Sequence, residues 1–397
     1  MTITLFDDSA RDSLLPLTFT RPVARLRVGI LTIAEKWAKR LDSDVAFLTV
    51  AYLQEKFPYH HDPVSLFING SVCPDEYLVE AISKLETGEA LYASDLLLAA
   101  RGATAESGIP VIDLEGFKLI SYARDFSRIM HPEHIFMQNE EEILRDFELV
   151  TSGRTSASLS STNTVLGDQI FVEEGVEAEC STFNTLKGPI YLGRNSGVWE
   201  GSMVRGAFAL CEGAQLKMGT RIYSKTTIGP YCRIGGEINN AVIMGYSSKG
   251  HDGYLGNSVI GEWCNLGADT NNSNLKNNYA SVKLWDYAND RYRDTGLQFC
   301  GLIMGDHSKC SVNTMFNTGT VVGVSSNVFG AGFPQHFVPD FSWYEIGNNA
   351  EYRLDKAIET TERVFARREK ELDTVERGIF AAIFDLTKHY RNIKTKL

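Results

Sequence analysis

The sequence predicts an α/β domain at the N-terminus, a parallel β-solenoid of hexapeptide repeats behind it, and a C-terminal helical segment. Three observations predict it. Apolar runs alternate with helical patterns through the first 150 residues. An aliphatic residue then falls at every sixth position from Leu192 to Ile234, and near the C-terminus apolar residues recur at three, four or seven. The middle observation carries most weight. If Leu, Ile and Val fill about a quarter of positions, the run Leu192, Val198, Val204, Leu210, Leu216, Ile222, Ile228 and Ile234 arises by chance roughly once in 10⁵ windows. Period six is neither that of a helix nor the alternation of an ordinary strand. It suits short flat strands that each send a side chain inward and then turn a corner.

The α/β domain is assigned to residues 1–150. Ile3–Phe6, Val45–Val50, Leu66–Ile68 and Ala90–Tyr92 read as strands, and Leu31–Leu41 and Asp75–Glu86 as helices. A further helix is expected over Asn139–Val150, where Glu140, Glu141 and Glu142 suit the positive end of the helix dipole. Residues 151–164 are small and polar, a linker by composition. The solenoid is assigned to 165–338. Ile170 and Val176 begin it, Leu186 restores phase, and Ile260, Leu266, Met304, Cys310, Phe316, Val322 and Val328 continue it. Neither the step from Ile234 to Ile260 nor that from Leu266 to Met304 is a multiple of six. Extruded loops are therefore expected at Gly245–Gly253 and Lys276–Gln298, and loops on rigid scaffolds carry chemistry. In 339–397, Leu354, Ile358, Phe365, Leu372, Val375, Ile379, Ile383, Leu386 and Tyr390 mark one long amphipathic helix or a bent pair that covers apolar surface.

The chain has 397 residues and a formal net charge of −11, a balance that argues against a nucleic-acid partner. No apolar run is long enough for a membrane span and no leader is apparent, so a cytoplasmic location is expected. The seven cysteines show no zinc spacing and read as free thiols. The first forty residues run against the overall charge. Arg11, Arg21, Arg25, Arg27, Lys36, Lys39 and Arg40 outnumber Asp7, Asp8, Asp12 and Glu35, either as a solvated surface or as an anion pocket.

Chemistry is expected at Ser248-Lys249-Gly250-His251-Asp252-Gly253-Tyr254-Leu255-Gly256. Glycines on both sides of His251 let backbone approach a ligand, while Lys249 and Tyr254 offer a cation and a phenol. An imidazole with an ordinary pKa of about 6.5 suits removal of a proton from an attacking amine or hydroxyl. Downstream, Gly267–Asn278 is rich in asparagine, whose amides serve solenoid corners or sugar hydroxyls.

The hexads and the Lys249–Asn274 segment resemble the C-terminal domain of the bacterial bifunctional glucosamine-1-phosphate N-acetyltransferase / N-acetylglucosamine-1-phosphate uridylyltransferase family. That family's loop reads Ser-Lys-Ala-Gly-His-Leu-Thr-Tyr-Leu-Gly, and the spacing from His251 through Tyr254 to Asn265, Ala268 and Asn274 is kept here. The resemblance implies a left-handed parallel β-helix, a homotrimer, and acetyl transfer from acetyl-CoA to an amino sugar phosphate. It casts His251 as general base, with Lys249, Tyr254, Asn265 and Asn274 on the sugar side. Ala268 would lie along the acetyl-CoA path, where a backbone amide steadies the oxyanion. Departures are a residue missing before His251, Asp252-Gly253 for Leu-Thr, Leu275 for a tyrosine, and an insertion within Lys276–Gln298.

The opening Leu5–Val23, with Arg27-Val28-Gly29-Ile30 after it, resembles a divergent sugar-nucleotidyltransferase branch. That implies a nucleotidyltransferase-like domain acting with UTP and Mg²⁺. Yet Asp7-Asp8-Ser9 fills the family's glycine-rich region, Leu17 follows Pro16 where a lysine is usual, and Ser71 stands at the magnesium aspartate. Either Asp7, Asp8 or Asp75 takes over the metal, or the domain binds nucleotide without turning it over. Arg11 and Arg21 are the candidate phosphate ligands, because guanidinium forks suit phosphate. The competing reading is a hexapeptide acyltransferase on another acceptor, with an inactive, nucleotide-sugar-binding front domain.

Overall fold

A computed structural model describes residues 2–60 and 65–391. These residues divide into two compact units. The first runs through Leu26 and adds Leu31–His134 and Asp373–Ala382; the second holds Arg27–Ile30, Ile135–Leu372 and the chain from Ile383 onward.

The first unit is built on a six-stranded mixed sheet. Its strands are β1 (Thr2–Phe6), β2 (Asp44–Leu48), β3 (Leu66–Asn69), β4 (Glu89–Ala93), β5 (Leu96–Arg101) and β6 (Lys118–Ser121), in the order β2-β1-β3-β5-β4-β6. Strands β1, β2 and β3 are parallel, whereas β5 runs antiparallel to both β3 and β4. The helix Ile33–Leu41 starts in a capping box, with Thr32 accepting from the Glu35 amide and Glu35 reaching back. The sequence reading lacked β5 and β6, whose apolar stretches are short and lack clear alternation.

The helix Pro132–Thr151 begins seven residues before the expected start, with proline at its first position. Asn139 and Asp146 sit on its buried side, and each serves the Arg27–Ile30 segment. The Gly29 amide donates to Asn139 Oδ1 at 2.7 Å and the Ile30 amide to Asp146 Oδ2 at 2.8 Å. Gly29 has φ +81°, and a Cβ there would lie 2.5 Å from Asp146 Oδ2 and 2.7 Å from the Glu142 carbonyl oxygen. Gly29→Ala is therefore expected to destabilise the second unit by about 1–3 kcal/mol, read as a lower urea midpoint. An unchanged midpoint would show that this segment is not held as described.

The second unit is a parallel β-solenoid. Its register shows why the hexads work: Val198 pairs with Leu216 and Leu216 with Ile234, one turn being three hexads. All eight aliphatic residues from Leu192 to Ile234 are buried in one continuous core. Burying each such side chain contributes about 1.5–3 kcal/mol. Leu186 is a correction. It fits the spacing but is 69% exposed, because Phe183 pairs with Val204 and fills the inward slot. Extra corner residues between Asn184 and Ile190 throw the count out of phase.

A second correction concerns the first expected loop. No loop leaves the stack between Ile234 and Ile260. The turn shortens instead, so Ile234 pairs with Lys249, and the following turn pairs Ile243 with Ile260. Glu237–Gly245 and Tyr254–Glu262 form two long strands that pair side by side around corners at Asn240 and Asn257, both with φ +48°. The second expected loop is present. Leu266 pairs with Cys310, and the intervening excursion contains an antiparallel hairpin of Lys283–Asp286 with Arg291–Asp294. Trp285 of that hairpin stacks on Phe337 at 4.4 Å, and the Tyr287 hydroxyl donates to the buried Asp340 carboxylate at 2.8 Å.

The stack continues past Val338 to Ser342–Glu345, where an antiparallel strand, Asn348–Glu351, covers the last sheet edge. The C-terminal pattern resolves into two helices, Leu354–Ala366 and Thr374–Leu386, followed by Lys388–Arg391. Phe365 lies against Trp263, at 4.3 Å, on a solenoid corner, and Phe384 meets Phe341 at 5.1 Å near the last turns. Among the described residues no helix is long and apolar enough to cross a membrane, and the cysteines are all free.

Candidate functional site

His251 lies exposed on the tight turn Gly250–Gly253 between Ser248-Lys249 and the strand that starts at Tyr254. Shortening of the turn, not extrusion of a loop, places it at the solenoid edge. A cleft of about 380 Å³ beside it brings together His251, Asn265 and Ala268 with Lys217, Arg233 and Ser248. A second groove of about 360 Å³ shares His251 and Lys217 with it and is lined also by Trp199 and Asp252. Lys217 Nζ sits 3.6 Å from the centre of the Trp199 ring, and burial followed by repulsion from Arg233 lowers its pKa. Arg221 reaches Asp252 at 3.5 Å and Glu237 at 3.7 Å.

Tyr254 and Asn274, which the resemblance puts on the sugar side, meet each other but line neither His251 groove. Asn274 Nδ2 donates to Tyr254 Oη at 3.0 Å and to Asn257 Oδ1 at 2.8 Å. Asn271 Oδ1 accepts from the Tyr254 amide at 2.7 Å, so one asparagine of the rich segment fixes the start of this strand.

Lys249 is placed differently from its expected role. It occupies an inward slot of the ladder and is 1% exposed. Its ammonium donates to the carbonyls of His251 at 3.0 Å, Asp252 at 3.2 Å and Gly235 at 3.4 Å. Burial pulls its pKa down to about 8 against the opposing pull of Asp252. The side chain ties the His251 turn to the stack instead of facing the cleft.

The cations Lys217 and Arg233 were missed by sequence reasoning. For Arg233 the signal was positional. Arg233, Ser248, Asn265 and Lys309 are neighbours in the ladder, each one residue before an inward side chain.

In the first unit, Asp7 and Asp8 follow β1, and Asn69 ends β3 with Ser71 just after it, at the carboxyl ends of parallel strands where α/β sheets commonly bind ligands. Asp7 is buried. Thr49 Oγ1 donates to it at 2.6 Å and the Val23 amide at 2.8 Å, and burial raises its pKa to about 6. Asp8 accepts from Arg128 Nη2 at 2.6 Å and Asn69 Nδ2 at 2.9 Å, while Arg128 Nε donates to Ser71 Oγ at 3.0 Å. Asp75 caps the helix Glu76–Ser83, accepting from the Leu78 amide. All three carboxylates suggested for Mg²⁺ are thus committed elsewhere, and Arg128 puts a positive charge against Asp8. Among the described residues no group of three or more His, Cys, Asp or Glu side chains is arranged to hold a metal. The residues present do not fit Mg²⁺.

The expected phosphate ligands are also turned inward. Arg11 is buried and donates to Tyr52 Oη at 2.7 Å, Asp12 at 3.1 Å and the Thr18 carbonyl at 3.2 Å. Arg21 is 5% exposed. In the second unit, Arg27 donates to the Ile30 carbonyl. Much of the positive balance of the first forty residues is spent on internal hydrogen bonds, because three of these guanidiniums are buried.

Residues 3–155 match the sequence profile of a family described as sugar nucleotidyl transferase. No curated protein sequence matches the chain significantly. Among solved structures, similarity is found to an Arabidopsis UDP-N-acetylglucosamine acyltransferase, at 14% identity over 60% of this chain and 99% of that one, with a TM-score of 0.24. A UDP-N-acetylglucosamine acyltransferase from Bacteroides fragilis is similar at 14% identity over 60% and 86%, TM-score 0.29. An N-acyltransferase from Bacillus cereus, solved with dTDP and 3-hydroxybutyryl-CoA, is similar at 10% identity over 54% and 100%, TM-score 0.22.

Proposed function

We propose that the solenoid transfers an acetyl group from acetyl-CoA to the amine of glucosamine 1-phosphate or a related amino sugar phosphate. The observation that carries this reading is the convergence of His251, Asn265 and Ala268 on one cleft with Lys217 and Arg233. The exposed imidazole takes a proton from the attacking nitrogen as that nitrogen adds to the thioester carbonyl. The tetrahedral intermediate then collapses, the carbon–sulfur bond breaks, and the imidazolium returns the proton to the departing thiolate. Lys217 holds the phosphate, Asn265 orients the sugar, and Ala268 leaves room for the thioester. A homotrimer is proposed, with neighbouring protomers completing each cleft.

For the front domain the engaged state of Asp7, Asp8 and Asp75 favours a second reading: it binds a sugar nucleotide or UTP without Mg²⁺-dependent uridylyl transfer. One experiment tests both readings. The protein is incubated with glucosamine 1-phosphate, acetyl-CoA and UTP, with Mg²⁺ or with EDTA, and every sugar species is identified by mass. N-acetylglucosamine 1-phosphate is expected in both conditions, with no UDP-sugar. Absence of any acetylated sugar would remove the first reading, and a UDP-sugar formed only with Mg²⁺ would remove the second.

A further inference from the structure

The His251 cleft does not end at Asn265. Arg233, Ser248 and Asn265 also line a neighbouring concavity of about 360 Å³, whose far wall is the end of the helix Leu354–Ala366 and the turn after it. Arg233, Lys309, Arg367 and Arg368 converge there. The wall is held in place by aromatic packing. Tyr231, Tyr246 and Trp263 occupy successive corners with φ of +58°, +53° and +61°. Their rings stack at 5.1 and 4.2 Å, and Phe365 closes on Trp263. Arg368 Nη2 donates to the Tyr231 carbonyl at 3.1 Å and Lys309 Nζ to the His307 carbonyl at 2.7 Å, so both heads are fixed by backbone.

The charge balance of this concavity is one-sided. It has no acidic lining residue, and none of the four cations pairs with a carboxylate among the described residues. This happens in a chain whose net charge is −11. Burial, then repulsion from Arg233 and Arg367, lowers the Arg368 pKa, and burial brings Lys309 to about 8. Arg233 and Arg367 are exposed while Arg368 and Lys309 are partly buried, and like charges gathered in one concavity without a counter-ion repel one another, a penalty that a bound anion relieves. Three arginines and a lysine around one concavity suit several phosphate oxygens at once.

We propose that this concavity binds the diphosphate of a ligand whose reacting end lies at His251. The proposal rests on the acyl-transfer reading for which end reacts, but not for the anion site itself. Two ligands share the chemistry: the acyl donor, whose coenzyme carries a diphosphate, and a nucleoside-diphosphate amino sugar in place of a sugar monophosphate.

Calorimetric titration of the full chain with inorganic pyrophosphate tests it. Pyrophosphate is expected to bind, and Arg233→Ala and Arg367→Ala each to weaken it by about tenfold, the loss of one charge-assisted contact. Arg367→Lys should regain part of the affinity, which separates a lost charge from a disturbed helix. His251→Ala should bind as the wild type does, so failure of the catalytic reading remains distinguishable. Displacement of pyrophosphate by CoA identifies the donor, and displacement by UDP identifies a nucleotide-linked acceptor. No pyrophosphate binding, wild-type affinity in both alanine variants, or displacement by neither compound would overturn the proposal.

Discussion

Replacing His251 by alanine is expected to lower acetyl transfer by about 10²–10⁴-fold, the usual contribution of a positioned general base. The fold gives specific reasons to expect loss of chemistry and not loss of structure. His251 is exposed at a tight turn, and its carbonyl, not its ring, is what Lys249 holds. Alanine keeps that carbonyl, so the turn should persist and the melting curve should match that of wild type. The Michaelis constant for the sugar phosphate should change little, because the proposed phosphate contact belongs to Lys217 on another turn. A rate that falls while binding stays is the signature of a group used only in the transition state. Acetylation by His251→Ala at wild-type rate would remove His251 from the chemistry and leave the solenoid without its proposed base.

Much of the architecture was legible because a hexapeptide solenoid writes its core into the chain one slot at a time. Every aliphatic residue from Leu192 to Ile234 must fill the same narrow interior, so spacing alone identifies it. Corner length is different. Adding or removing corner residues leaves strand pairing intact, and no side-chain pattern announces it. That is why Leu186, in phase by count, lies outside, and why the segment around His251 resembled a loop when it is a shortened turn. Lys249 was misread for a related reason. A lysine among glycines looks like a ligand until the register puts it opposite Ile234. The site was legible only in part. His251, Asn265 and Ala268 lie close in sequence on successive turns, whereas Arg367 and Arg368 arrive from a helix about a hundred residues away. That approach is set by packing of Phe365 on Trp263, a contact that local periodicity does not encode.

Lys249→Met is expected to make the rise in stability between pH 8 and about 10 smaller than that of the wild-type chain, by the share that Lys249 contributes. Burial brings the Lys249 pKa to about 8 in the folded protein, against about 10.4 in an unfolded chain. Below pH 8 both states hold the proton, and the folded state carries the full penalty of burying a charge. Between the two pKa values only the unfolded state holds it, so unfolding takes up a proton and stability climbs as pH rises. The full gain is about 3 kcal/mol, reached only above the unfolded pKa. Methionine has similar length and no proton to lose, so it fills the slot beside Ile234 and removes the Lys249 share of the dependence. It also leaves the His251 and Asp252 carbonyls without their donor, so the absolute stability of the variant at neutral pH reflects two opposing effects. The informative quantity is the difference between wild-type and variant urea midpoints across the pH series. Lys309, also near 8, and the buried tyrosines, whose raised pKa values work against stability at high pH, act in both proteins and cancel. Parallel wild-type and variant curves would mean that folding leaves the Lys249 ammonium in water, free to meet a substrate after all.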